Sequence, residues 1–291
     1  MEPIVVEVRR GDVVESRHRV HAVVVRDGTV ELAAGDVERV VFLRSAAKPI
    51  QALPVVRAVP WLDDEQVALL CASHLGRPEQ IAIVERTLAQ AGVTAEDLEC
   101  GPEPTPLGHN CSGKHAGFLA LCRARGWQPA GYRLAGHPCQ QAMVEEVASA
   151  TSLDPGSLTT AVDGCGVLTF AVPLRVAAVS FARFPGLTGA GRVITAMRTH
   201  PELLRGPVAA DAVLIRALPG WIAKGGAEGL FCAGSPDGLG IALKVEDGAF
   251  RAIVPVMRHV LGLLGLSVEG LDDRTLRNSR GEQVGSVDVA R

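Results

Sequence analysis

Both ends of this chain read as β-strand and its middle as helix, which leaves few ways to fold it. Residues 4–9 (Ile-Val-Val-Glu-Val-Arg), 19–26 and 38–43 are rich in β-branched side chains, punctuated by Gly11-Asp12, Asp27-Gly28 and Gly35-Asp36. That pattern predicts an antiparallel meander. From Ser45 to about Leu218 apolar residues recur at helical spacing, in 64–71, 79–91, 115–125, 140–150 and 207–217. Strand signals return at 221–224, 229–233, 239–245 and 251–254, joined by turns such as Asp237-Gly238 and Asp247-Gly248, before an apolar helix over about 255–264. The polar tail from Ser267 to Arg291 is expected to wrap the surface. One antiparallel sheet built from both termini, with a helical region inserted, satisfies this order. The expected class is α/β (α+β), a single catalytic unit over residues 1–291. Its sheet part falls at about 1–45 and 218–265 and its helical part at about 46–217.

At 291 residues the chain is long enough to bury a core around a dry pocket. A net charge of −3 supplies no basic field, so nucleic acid is not an expected partner. The stretch nearest to a membrane span, Gly164 to Ala182, is short and interrupted by Pro173 and Arg175, which predicts a buried segment and no membrane partner. The N-terminus lacks the basic-then-apolar order of a secretory signal. Seven cysteines are an odd number and none form a C-x-x-C pair, which reads as free thiols in a soluble cytoplasmic protein.

The chemistry starts at Ser45-Ala46-Ala47-Lys48, which sets a hydroxyl and an amine one helical turn apart. Serine is a weak nucleophile until a neighbouring base takes its proton, and S-x-x-K is the nucleophile signature of serine acyl-transfer enzymes. Pro49 suits a first turn, where its missing N–H is tolerated; Pro54 predicts a kink or an early end. Two further stretches follow in the order of the penicilloyl-serine enzymes: Ser73-His74, after an apolar run, and Lys224-Gly225-Gly226, opening the C-terminal strands. Both matches are partial, with His74-Leu75 for Asp-Asn and Gly225 for Thr or Ser. Two lysines have a use here. A free lysine titrates near 10.4, and a base working near 7–8 needs a shift of about 4 kcal/mol. A second ammonium ~4 Å away at an effective dielectric of about 20 supplies that much. The expectation is therefore that the Ser45 hydroxyl meets amines from both Lys48 and Lys224.

Gly108 to His115 comes within one residue of a phosphate-binding loop, but His115 replaces the Mg²⁺-binding hydroxyl and Pro102, Pro104 and Pro106 stand where a strand should lead in. It reads instead as a ligand-facing loop before a helix whose N-terminus suits a carboxylate. Cys111 in this loop and Cys165 in Asp163-Gly164-Cys165-Gly166 have two readings. They are either small buried apolar residues or, with one further donor, ligands to a Zn²⁺ with an open position.

These stretches together resemble the rhizobial-type (class 3) L-asparaginase II family. The resemblance is carried by Arg44-Ser45-Ala46-Ala47-Lys48-Pro49, Cys71-Ala72-Ser73-His74, His109 to His115, Asp163-Gly164-Cys165-Gly166 and Lys224 to Gly229. It implies a fold like that of the serine β-lactamases and hydrolysis of L-asparagine to L-aspartate and ammonia. By the same resemblance Ser45 is the nucleophile with Lys48 as partner, and Ser73 and Lys224 form a second serine–lysine pair that relays protons. Cys111, Lys114 and Cys165 match a zinc site, and a homodimer is implied. Arg44, His115 and Asp163 are the residues expected to bind the substrate, with its α-carboxylate near Arg44 and the helix N-terminus after Lys114. Leu168, Leu75 and Arg77 depart from the family pattern and bear on selectivity more than on reaction type. Two rivals have discriminating tests: a penicillin-binding or β-lactam-hydrolysing enzyme, and a non-catalytic small-molecule or zinc-binding protein.

Overall fold

The computed structural model describes residues 1–271 and 274–290. Four strands open the chain: β1 (Ile4–Arg10), β2 (Val13–Arg26), β3 (Thr29–Ala34) and β4 (Val40–Phe42). Five helices follow, α1 (Lys48–Ala58), α2 (Asp64–Leu70), α3 (Pro78–Ala91), α4 (Ser112–Arg125) and α5 (Pro138–Thr151). Strands β5 (Thr159–Val162) and β6 (Leu168–Pro173) precede helices α6 (Leu174–Arg183), α7 (Ala190–Thr199) and α8 (Ala210–Ala217). The chain closes on β7 (Ile222–Gly225), β8 (Leu230–Gly234), β9 (Leu239–Val245), α9 (Ile253–Leu263), β10 (Thr275–Arg277) and β11 (Gln283–Val289).

Both termini do build one sheet. Its order is β10-β11-β1-β2-β9-β8-β7, with β3 paired to β2 off that path, and its pairs are antiparallel. β2 and β9 join the N- and C-terminal halves, in a register that sets Val23 opposite Ala242. β4, β6 and β5 make a second, three-stranded sheet that sequence periodicity did not suggest.

Three sequence expectations need correction. The tail does not simply wrap the surface: β10 and β11 extend the sheet, with Val6 opposite Val289 and Val8 opposite Val287. The free edge of β1 has unpaired N–H and C=O groups that β11 satisfies, and its alternating half-buried residues look polar in sequence. Residues 251–254 are not a strand but lead into α9. A short apolar run does not distinguish a strand from a buried helix, and Pro255 sits within the first turn, where a missing N–H is tolerated. α1 neither stops nor breaks at Pro54 and runs to Ala58. Lys48 through Val56 are all buried, so packing on every side holds the helix across the missing N–H. The apolar run 164–182 is buried, as expected, and divides at Pro173 between β6 and α6. Among the described residues no helix is long and apolar enough to cross a membrane.

Helix α6 lies tightly against the sheet because Gly234 and Gly240 admit it. A Cβ at Gly240 would come within 2.1 Å of the Ala178 carbonyl oxygen, and one at Gly234 within 2.2 Å of that of Phe181. Gly240→Ala should therefore cost about 1–3 kcal/mol through forced displacement of the helix, read as a lower urea midpoint. An unchanged midpoint would mean that α6 yields freely.

Candidate active site

The chain leaves β4 and enters α1 through a single 3₁₀ turn, Arg44–Ala47. Leu43 N–H donates to the Phe170 carbonyl at 2.8 Å and Arg44 N–H to Thr169 Oγ1 at 3.0 Å. Between these anchors Arg44 adopts φ +48°, a left-handed conformation unusual for a side chain this large. Strained backbone of this kind concentrates at functional sites, and here it immediately precedes the half-buried Ser45. The end of β7 touches the same turn: a Cβ at Gly226 would lie 2.8 Å from the Leu43 carbonyl oxygen. Gly225 stands at the hydroxyl position of the K-[ST]-G pattern, and the Phe250 ring fills the space a side chain would need, with Cζ 2.8 Å from where its Cβ would be.

The chain contains four lysines, at 48, 114, 224 and 244, and three of them are buried: Lys48 at 0%, Lys114 at 3% and Lys224 at 0% exposure. An amine this deep is rare unless it has work or a partner. Lys48 Nζ donates to the Ala72 carbonyl and, at 3.2 Å, to Ser73 Oγ. Lys224 Nζ donates to Ser73 Oγ at 3.3 Å and to the Gly225 carbonyl at 2.7 Å. The two amines do converge, but on the hydroxyl of Ser73 rather than that of Ser45. Among the described residues the Ser45 hydroxyl has no hydrogen-bond partner. The hub is Ser73 because its loop is held from both sides: Ser73 N–H donates to the Leu204 carbonyl at 2.7 Å and His74 N–H to that of Asn110 at 3.1 Å.

Burial pushes the Lys224 amine down to about 8; Lys48 and Arg205 add to this, while Asp211 and Cys111 oppose it. Burial also lowers His74 to about 4. This histidine is therefore neutral and structural: Nδ1 accepts from Gly76 N–H at 3.1 Å and Nε2 donates to Ser112 Oγ at 2.9 Å.

A second cluster adjoins the first. Lys114 Nζ donates to Cys165 Sγ at 3.3 Å, and the Cys165 thiol lies 3.9 Å from Asp163 Oδ2. The influence of Cys165 holds the Cys111 thiol well below its ordinary value, and that of Cys111 pushes Cys165 upward. Burial alone would lower the Lys114 amine, but Cys165, Cys111 and Asp163 raise it. Two sulfurs and a nitrogen in mutual reach are a donor set that suits zinc. Among the described residues no three His, Cys, Asp or Glu side chains are grouped to hold a metal, so the amine would have to be the third donor. Arg44 spans the two clusters, with Nε donating to Asp163 Oδ1 at 2.5 Å; Asp163 also accepts from Gly164 N–H at 2.8 Å. His115 is fully buried, where its Nδ1 accepts from the Tyr132 hydroxyl at 2.7 Å, while its Nε2 has no partner in the protein.

Of the predicted residues, then, Lys48, Ser73 and Lys224 meet directly, Ser45 lies in the turn that leads into Lys48, and Cys111, Lys114, Cys165, Asp163 and Arg44 form a neighbouring set. His115 sits in the core against Tyr132. Sequence reasoning missed Asp211, which lies 3.6 Å from Lys224 Nζ. An acid in a first helical turn looks like ordinary dipole pairing. The S-x-x-K spacing pointed to Lys48 and the strand-opening Lys224-Gly225-Gly226 to Lys224, whereas Lys114 came only from the family resemblance.

A family model described as L-asparaginase II matches residues 6–289. Among solved structures, a crystal structure of Mglu superposes with a TM-score of 0.50 at 15% identity, covering 89% of this chain and 69% of that one. Mglu in its glutamate form gives 0.52 at 16% identity, covering 89% of this chain and 63% of that one. At such identities the likeness is one of fold, and the chain spans about two thirds of the length of Mglu. No curated protein matches the chain by sequence.

Proposed function

From its place in the L-asparaginase II family, to which the chain belongs, we propose that this amidohydrolase converts L-asparagine to L-aspartate and ammonia through an acyl-enzyme on Ser45. One observation supports the reading above all: two buried amines, one of them from Lys48 a single turn after Ser45, share the Ser73 hydroxyl. The substrate α-carboxylate binds near Arg44 and the N-terminal end of α4. Lys48 accepts the Ser45 proton as Oγ attacks the side-chain amide carbon, and backbone N–H groups of the Arg44–Ala47 turn receive the oxyanion. The C–N bond breaks as nitrogen takes a proton passed from Lys224 through Ser73, and ammonia leaves. Water then cleaves the ester, its hydroxide adding to the acyl carbon and its proton going to Ser45 Oγ as aspartate leaves, and the proton held by Lys48 passes through Ser73 to Lys224 to reset both amines. A zinc ion held by Cys111, Lys114 and Cys165 would supply a Lewis acid that orients the substrate, with the Lys114 amine neutral to donate its lone pair.

Ammonia release over asparagine, glutamine and a penicillin, with and without chelator, tests this reading. Asparagine and glutamine differ by one methylene, worth only about 1–3 kcal/mol in a pocket, so the ratio of their kcat/KM decides the substrate. Acylation by the penicillin without amide turnover would transfer the chain to the β-lactam-binding enzymes. The pH profile carries a further expectation. Lys224 must be an ammonium to protonate the leaving nitrogen, and its pKa is depressed to about 8. The rate should fall above that value, and an alkaline limb as late as that of a free lysine would remove Lys224 from the relay.

A further inference from the structure

An ammonium has three N–H donors. Lys224 directs two at Ser73 Oγ (3.3 Å) and the Gly225 carbonyl (2.7 Å), and Asp211 Oδ2 lies 3.6 Å from the nitrogen. Both side chains are out of solvent, Lys224 at 0% and Asp211 at 3% exposure. Asp211 belongs to the first turn of α8, where the helix dipole favours a carboxylate. Its Oδ1 accepts from Ala212 N–H at 3.1 Å and its Oδ2 from Gly225 N–H at 3.4 Å. One carboxylate thus faces the lysine amine and grips the next peptide of the same strand.

Resting on the reading of Ser73 and Lys224 as the proton relay, we infer that Asp211 is a positioning residue that aims Lys224 at Ser73 and keeps it an ammonium until the leaving nitrogen takes its proton. The surroundings require such a group. Arg205 is a cation and Lys48 becomes one on taking the Ser45 proton; both disfavour charge on Lys224, and burial does the same. Cys111 favours it, and the buried Cys71 thiol, pushed up to about 12, stays neutral. Asp211 is the carboxylate that offsets the cations. It touches no reacting atom and neither gives nor takes the proton. Without it Lys224 would be neutral over more of the working pH range and would have nothing to donate.

With four lysines in the chain, ¹³C-lysine NMR can follow each amine without substrate. Asp211→Asn should lower the Lys224 midpoint by about one unit, the lower end of what a close opposite charge contributes. The alkaline limb of kcat should move down with it, with KM little changed and a loss of about fivefold at pH 8 from the smaller ammonium fraction. Asp211→Glu should recover part of both. A lower melting temperature with the lysine midpoint and alkaline limb unmoved would make Asp211 merely structural and overturn the inference. If the wild-type enzyme releases ammonia from no amide, the functional reading fails, and the lysine titration still decides on Asp211. Should Asp211→Asn not fold, the pair Asp211→Asn with Lys224→Met replaces it. Removing both charges should restore folding, because a lone buried charge is worse than none; a pair that folds no better refutes the coupling.

Discussion

Ser45→Ala should abolish ammonia release, lowering kcat by at least about 10⁴-fold, as loss of a nucleophile does in serine hydrolases. The fold should be undisturbed. The Ser45 hydroxyl is half-buried and bonds nothing in the protein, so its removal strands no buried donor or acceptor, and stability should change by no more than about 0.5 kcal/mol. This result separates two serines that compete for the same role. Ser73 has both amines on its hydroxyl, which by hydrogen bonding alone makes it the better-activated nucleophile. Ser45 has access instead: Ser73 is only 5% exposed, whereas Ser45 is half-buried on the strained turn that follows the left-handed Arg44. A hydroxyl that must enter a carbonyl carbon needs room, and one that passes protons needs amines. Mass spectrometry of quenched enzyme should find the acyl group on the peptide containing Ser45. If Ser45→Ala still turned over and the acyl group lay on Ser73, the two roles would be exchanged.

Legibility from sequence followed the range of the signals. Ser45 and Lys48 are one turn apart, so local periodicity is enough to pair them. Strands at both ends and helices between them fix the sheet's composition, and Lys224 opens the C-terminal strands where a K-[ST]-G-like stretch should. What escaped depends on contacts that no local pattern encodes. The meeting point of the amines on Ser73 is set by the Leu204 and Asn110 carbonyls, which hold its loop from regions far apart in the chain. Asp211 comes to Lys224 because α8 packs beside β7. The strands β10 and β11 were hidden by their half-buried, mixed composition, since an edge strand gains its stability from the neighbour's unpaired backbone rather than from its own side chains.

Lys48→Met should slow turnover by about 10²–10⁴-fold, the usual contribution of a positioned general base. Methionine keeps an unbranched apolar stem in a fully buried position, so the packing of α1 is largely preserved. The Ala72 carbonyl and one lone pair of Ser73 lose a donor, which costs about 1–3 kcal/mol, while the variant is relieved of burying an amine. Charge changes as well. Whenever it holds a proton Lys48 is one of the cations that depress Lys224, so its loss should raise the Lys224 midpoint and carry any residual alkaline limb to higher pH. Two causes of slowing are therefore mixed in this variant, absent base and altered relay. Lys48→Arg separates them, since arginine returns the positive charge beside Ser73 but holds its proton throughout the accessible pH range. If Lys48 works by accepting the Ser45 proton, the arginine variant should be as slow as the methionine one despite its cation. Recovery of turnover in Lys48→Arg would show that the site needs charge at this position and takes the proton elsewhere.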